Sequence, residues 1–307
     1  MNYAALIDDE IQDFIQRTGT YYPPDATDLD VTGQRRVYDA MCAAFRQPRP
    51  DGVEVVDQEA GGVACRIYSA GNPNNTVIYF HGGGFVVGGL DSHDDVCAEI
   101  CAGTGYRVLA VDYRLAPEHV HPAHFDDARA ATNWAAETFS GAIVLAGDSA
   151  GGNLAAAVAH WARGSIDAVR GQVLIYPGLG GEGSAASYTQ HAHAPLLTTD
   201  EVGYYTTIRA GGDAPVNDPS FAPLEDANFS DLPPTLVFTA DCDPLRDDGR
   251  DYCDRMREAG GQANWINEAG LVHGYLRART MSRRARDSFG RIVFGIEALG
   301  QGIWPSL

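Results

Sequence analysis

Two glycine-rich turns, His81-Gly82-Gly83-Gly84 and Gly147-Asp148-Ser149-Ala150-Gly151, each follow a run of strand-forming residues. The second has the spacing G-x-S-x-G, whose glycines permit the tight strand-to-helix turn that lifts a serine Oγ above a sheet edge. The first presents bare backbone N–H groups of the kind that can hold an oxyanion. In this order, and each in strand–turn context, the two turns point to attack by an activated serine on an acyl carbonyl.

Such a serine requires a carboxylate and a histidine, in the chain order Ser, Asp/Glu, His. Residues 235–240 read as a buried strand and lead into Asp241-Cys242-Asp243-Pro244-Leu245-Arg246-Asp247. Residues 263–267 read as another strand and lead through Gly270 into His273-Gly274-Tyr275. Functional groups of open α/β sheets lie just beyond the carboxyl ends of strands. Ser149, Asp243 and His273 all meet that condition, and Asp241 and Asp247 compete for the carboxylate role.

Strand and helix alternate along the chain. Residues 53–58 and 63–68 read as a hairpin across Gly61-Gly62, with strands following at 77–80, 108–112, 143–146 and 173–176. Helices are expected near 92–104, 123–138, 150–163, 246–259 and 277–299. This alternation predicts a mostly parallel sheet covered by helices on both faces. Two pieces stand outside it. Residues 1–45 carry a helical stripe (Leu6, Ile7, Ile11, Phe14, Ile15) broken by Tyr21-Tyr22-Pro23-Pro24, and residues 178–215 are rich in Gly, Ala and Ser with no long amphipathic helix in view.

The chain resembles the hormone-sensitive-lipase-like branch of the α/β-hydrolases, the bacterial family IV esterases. The resemblance rests on His81-Gly82-Gly83-Gly84-Phe85, Asp112-Tyr113-Arg114-Leu115-Ala116-Pro117-Glu118 and Gly147-Asp148-Ser149-Ala150-Gly151-Gly152-Asn153. It continues through Leu232-Pro233-Pro234-Thr235, Asp243-Pro244-Leu245-Arg246-Asp247 and His273-Gly274-Tyr275. It implies an α/β-hydrolase fold with a helical cap. Residues 1–45 would be an N-terminal cap segment, 46–177 the first part of the core, 178–215 a cap insertion and 216–307 the second part of the core.

It also implies a serine carboxylesterase with Ser149, His273 and Asp243 as catalytic triad. Asp243 is selected because it leads the D-P-L motif. Backbone N–H groups of Gly83, Gly84 and Ala150 would form the oxyanion hole. Phe14, Tyr21, Tyr22, Leu196, Leu197, Tyr204 and Tyr205 are candidates to line the substrate entrance. The same aromatics could equally pack a cap against the core.

Composition narrows the partners. A net charge of −19 repels nucleic acid and anionic membrane surfaces. No run approaches the roughly 18 apolar residues of a membrane helix. The acidic N-terminus lacks the basic and apolar regions of a signal peptide, so the expected location is cytoplasmic. All 22 basic residues are arginine, which coding bias explains more simply than adaptation to salt. Six cysteines show no C-x-x-C pair; Cys97 and Cys101, four apart in a helical stretch, read as buried free thiols, and Cys242 as packing. His119, His121 and His124 lack metal-ligand spacing and read as surface or loop histidines. Asp112, Arg114 and Glu118 are expected to form a buried ion-pair network, and His81 to brace the glycine loop. No metal or cofactor is implied. The partner expected is a small-molecule ester, and a homodimer is left open. An amide, carbamate or larger natural-product ester fits the same triad. A ligand-binding receptor on this fold could dispense with its histidine, and this chain keeps His273.

Overall fold

The computed structural model describes every residue of the chain except Pro24, Glu182 and Ser184. The second proline of the expected break, and two positions of the 178–215 segment, therefore lie outside the described residues. Among the described residues, eight strands build one sheet: β1 (Glu54–Ala60), β2 (Val63–Ser69), β3 (Thr76–Phe80), β4 (Arg107–Val111), β5 (Ile143–Asp148), β6 (Val169–Ile175), β7 (Thr235–Cys242) and β8 (Ala263–Val272). Their spatial order is β1-β2-β4-β3-β5-β6-β7-β8. The β1–β2 and β2–β4 pairs are antiparallel, and all later pairs are parallel.

The hairpin turns at Gly61-Gly62, both with left-handed φ, so that Ala60 faces Val63. The inner strands are continuous apolar runs because both sheet faces are covered. Alternate residues of β3 divide between the layers: Val77 and Tyr79 join one core cluster, Ile78 and Phe80 the other. The first layer holds α3 (Asp94–Thr104) and α9 (Arg283–Gly300), and the second holds α4 (Ala123–Thr138), α5 (Ala150–Ala162) and α8 (Arg246–Glu258).

The expected elements form, with three differences. β6 begins at Val169 and ends before Tyr176, and β8 runs on to Val272. The expected helix near 277–299 is split: a 3-10 turn spans Tyr275–Thr280, and Ser282 caps the start of α9. The 178–215 segment contains two helices, α6 (Ala186–Gln190) and α7 (Thr199–Ala210). α7 has no apolar stripe to announce it. Its signals are a capping box between Thr198 and Glu201 and the left-handed Gly211 at its end.

The N-terminal segment folds as α1 (Asp9–Gly19), capped by Asp8, and α2 (Val31–Phe45), capped by Asp30. Ile11 and Phe14 are buried against Phe45, whereas Leu6 precedes the helix and is exposed. All six cysteines are buried and free. Among the described residues no helix is long and apolar enough to cross a membrane.

Two acids of α8 hold the 178–215 segment to the core. Asp247 accepts from Ser187 N–H at 3.0 Å. Asp248 accepts from Leu179 N–H at 2.8 Å, Gly181 N–H at 3.2 Å and the Tyr188 hydroxyl. Burial pushes the Asp248 carboxyl up to about 7, against the pull of those donors. A folded-state pKa above the unfolded value means a contribution present in acid and lost as pH rises through about 7. Asp248→Asn keeps an acceptor for the two N–H groups and cannot ionise. Its thermal midpoint relative to wild type should therefore improve between about pH 5 and about pH 8. A gap independent of pH would show that this carboxyl does not titrate there.

Candidate active site

Ser149 sits between β5 and α5 with φ 53° and ψ −117°, a conformation L-residues rarely adopt. Its N–H donates to the Ile175 carbonyl at 2.8 Å. The strain is held by close packing: a Cβ on Gly151 would lie 1.9 Å from the Phe80 carbonyl oxygen. The result is a serine aimed off the end of the sheet at the head of a helix.

β7 and β8 bring the other two groups to it. His273 Nε2 lies 2.9 Å from Ser149 Oγ, and His273 Nδ1 lies 2.7 Å from Asp243 Oδ2. With Nδ1 donating to the carboxylate, Nε2 is left to accept from the serine. Asp243 is fully buried, and its second oxygen accepts from Leu245 N–H at 2.9 Å. Asp241 points elsewhere, accepting from Asn267 Nδ2 at 2.9 Å and from Gly270 N–H. Asp247 serves Ser187 and Arg246. Of the three neighbouring acids, only Asp243 meets the histidine.

The glycine loop runs beside the serine. Gly83 and Gly84 take φ of 127° and 60°, and among the described residues their N–H groups find no acceptor. Gly84 lies under the Tyr205 ring, where a Cβ would come within 2.4 Å of it. Gly82 N–H instead donates to Asp148 Oδ1 at 3.0 Å. His81 shares a hydrogen bond with the Gly82 carbonyl at 2.8 Å and stacks on Tyr113 at 4.3 Å. Burial, with His93 close by, pushes the His81 imidazole down to about 4, so it stays neutral and braces the loop.

Two cavities meet at Ser149. One, of about 290 Å³, is lined by Ala150, Tyr188, Val202, Arg209, Phe221 and Leu245 among others. The other, of about 130 Å³, is lined by Phe14, Tyr22, Leu196, His273 and Arg277 among others. Gly84, Leu197 and Tyr205 belong to both. Five of the seven candidate lining residues thus face the site. Tyr21 and Tyr204 line neither cavity. Tyr21 is exposed at the end of α1, and Tyr204 turns its hydroxyl to Gln34 Nε2 at 2.5 Å.

A model of the α/β hydrolase fold matches residues 77–277, the span that contains the serine, the acid, the histidine and the glycine loop. The chain belongs to the α/β hydrolases, in their hormone-sensitive-lipase-like branch. It is 41% identical to Esterase LipI of Mycobacterium tuberculosis, over 75% of this chain and 78% of that protein. It is 38% identical to Carboxylesterase NlhH of the same organism, over 74% and 73%. A crystal structure of an esterase from the bacterial hormone-sensitive lipase family superposes with a TM-score of 0.87 at 27% identity, covering 95% of this chain and 98% of that one.

Several groups that shape this hydrolase site escaped the sequence reading. Tyr176, with φ 32°, packs its ring 4.9 Å from His273. His121 and His124 are packed inside rather than on the surface, because Arg209 of α7 reaches them: its Nε donates to His124 Nε2 at 3.3 Å. Asp112, Arg114 and Glu118 form no network with one another. Arg114 pairs with Asp127 and Glu118 with Arg35, both towards solvent.

Arg209 is sandwiched between the Phe85 and Phe221 rings, 3.7 and 4.2 Å from their centroids. It also donates to the Phe221 carbonyl at 2.9 Å and to Asn153 Oδ1 at 3.1 Å. Burial pulls its pKa down to about 9. Arg209→Met keeps the stem and strips Asn153 Oδ1, His124 Nε2 and the Ser220 carbonyl of this donor, while the Phe221 carbonyl keeps Asn153 Nδ2. It should lower unfolding free energy by roughly 2–4 kcal/mol in denaturant titration, since each unpaired buried group costs about 1–3 kcal/mol. A loss below about 1 kcal/mol would mean water replaces the guanidinium there.

Proposed function

We propose that this chain, a carboxylic ester hydrolase, cleaves short- to medium-chain acyl esters through an acyl-enzyme formed on Ser149. The observation that carries the reading is the continuous relay from Ser149 Oγ through His273 to Asp243, at 2.9 and 2.7 Å. Related proteins carrying the names esterase and carboxylesterase support the same activity.

His273 takes the serine proton as Oγ attacks the carbonyl carbon, and then delivers it to the departing alkoxide, freeing the alcohol. Water enters by the reverse route: His273 deprotonates it, the hydroxide attacks the acyl carbon, and the proton returns to Ser149. Asp243 fixes the imidazole tautomer and stabilises the imidazolium. The N–H groups of Gly83, Gly84 and Ala150 receive the tetrahedral oxyanion, and loss of one such donor typically costs about 100–1000-fold.

The leaving oxygen must come within reach of His273, which lines the smaller cavity and not the larger. The alcohol therefore occupies the smaller cavity and the acyl chain the larger. Residues 1–45 and 178–215 act as the cap, joined over the serine by the Tyr22–Tyr205 hydroxyl contact at 3.2 Å.

Ser149→Ala should abolish turnover, and an organophosphate should label Ser149 alone. Asp243→Asn should lower kcat by about 10⁴, as for a triad aspartate, with Asp241→Asn far milder. The reverse ranking of the two acids would reassign the carboxylate.

Acyl preference follows from the bounded acyl cavity. Each buried methylene gains roughly 0.8 kcal/mol only until the space is full. Across p-nitrophenyl esters, kcat/KM should hold or rise through about two to eight acyl carbons and fall beyond, without activation by emulsion. Fast hydrolysis of long-chain triglyceride, with a jump above the solubility limit, would mark a lipase instead.

A further inference from the structure

Two arginines line the two cavities, and among the described residues neither has a carboxylate within ion-pair distance, in a chain with 41 acidic residues. Buried arginines elsewhere take carboxylates, as Arg279 does with Asp95 and Glu99. Arg209 is closed off by two aromatic rings and neutral acceptors. Arg277 is open. It is half-buried and lines the smaller cavity together with Ser149 and His273. It donates to the Tyr38 hydroxyl at 2.7 Å and to the Ser92 carbonyl at 3.4 Å. A guanidinium carries five N–H donors in a rigid fork, and these contacts occupy two of them.

Thr18 borders the same space. It is 4% exposed, and its Oγ1 has no hydrogen-bond partner among the described residues. The cavity's one acid, Asp148, has its oxygens directed to Tyr79, Gly82, His93 and Tyr176. It also attracts Arg277 across the cavity, without a hydrogen bond between them. What the chamber lacks is an acceptor for the remaining guanidinium donors and for Thr18.

We propose that Arg277, assisted by Thr18, binds a carboxylate carried by the leaving alcohol, so that the preferred substrates are O-acyl esters of small hydroxy acids. This rests on the hydrolytic reading above, in which the alcohol departs on the His273 side. A guanidinium fork matches a carboxylate with two parallel hydrogen bonds. This cavity is the smaller of the two, which suits a small hydroxy acid. The net charge of −19 repels anions at long range, but exposed charges are screened beyond about 8 Å in physiological salt; inside the cavity Arg277 has free donors to offer, whereas Asp148 is already engaged by Tyr79 and Gly82.

The test compares kcat/KM for O-butyrylglycolate with that for its neutral counterpart O-butyrylglycolamide. The wild-type protein should favour the anion by about tenfold or more, chiefly through KM. Arg277→Met should abolish that ratio, Arg277→Lys should retain part of it, and Thr18→Val should reduce it less than Arg277→Met does. Free glycolate should inhibit the wild-type protein competitively and glycolamide should not, a measurement independent of whether any variant folds. Monoethyl succinate and ethyl succinamate carry the same contrast in the acyl half, and should show no preference that depends on Arg277. Equal rates for the glycolate pair in wild type, or parallel loss on both substrates in Arg277→Met, would overturn the proposal. Ser149-dependent hydrolysis of both esters would still stand in that event. A preference confined to the succinate pair would overturn the assignment of the alcohol to this cavity.

Discussion

A single buried carboxylate, Asp148, ties the site to the sheet. It ends β5 immediately before the serine, and its Oδ1 accepts from the Tyr79 hydroxyl on β3 at 2.8 Å and from Gly82 N–H at 3.0 Å. His93, which caps α3, and Tyr176, which follows β6, complete its shell. Burial alone would push this carboxyl up, yet His93 and the surrounding donors hold it well below the usual carboxylate range. An ionised group in a dry core must be fully hydrogen-bonded or its desolvation cost is uncompensated. Nucleophile elbow, glycine loop and neighbouring strand ends are thereby locked at one point, and the distance from Gly83 and Gly84 to Ser149 is fixed before substrate arrives.

A second set of buried polar contacts positions what lies above the sheet edge. Arg209 joins α7 to Phe85 of the glycine loop, to Asn153 of α5 and to the chain at Phe221. Asp247 and Asp248 join the start of the 178–215 segment to α8, the helix that begins three residues after Asp243. The covering segment is therefore referenced to the same residues that position the chemistry. Preorganisation of this kind would let the proposed oxyanion donors act without reorganising at the moment of reaction.

The core was legible because its signals are local. Hydrophobic runs bounded by glycine, proline or asparagine reveal β3, β5 and β7, and the spacing of Gly147, Ser149 and Gly151 is visible in five residues. The boundaries that moved did so for tertiary reasons. β8 continues past Asn267 because its pairing with β7 carries a register shift between Ala240 and Cys242, with Gly270 at φ 69° taking up the irregularity. His121 and His124 looked like surface residues around Pro122, and they are inside because Arg209 arrives from 85 residues away. No period or turn motif reports such a contact. Helix α7 could have been found from Thr198, Glu201 and Gly211, since caps define it where an apolar stripe does not.

The same asymmetry separates chemistry from selectivity. The groups proposed to react stand on strand ends of one rigid sheet, where motif spacing determines geometry. The walls of the two cavities come from α1, α7 and the turns between them, which meet through the Tyr22 and Tyr205 hydroxyls and through Tyr205 against Gly84. Tyr205 and Leu197 divide the space on either side of Ser149, and each belongs to a segment whose composition says little about its fold. A substitution at either would alter the relative size of the two cavities, and so of the proposed acyl and alcohol spaces, without moving Ser149, His273 and Asp243. Substrate range in this chain can therefore change through residues that carry no motif, while Asp148 holds the Ser149 turn and the glycine loop in place.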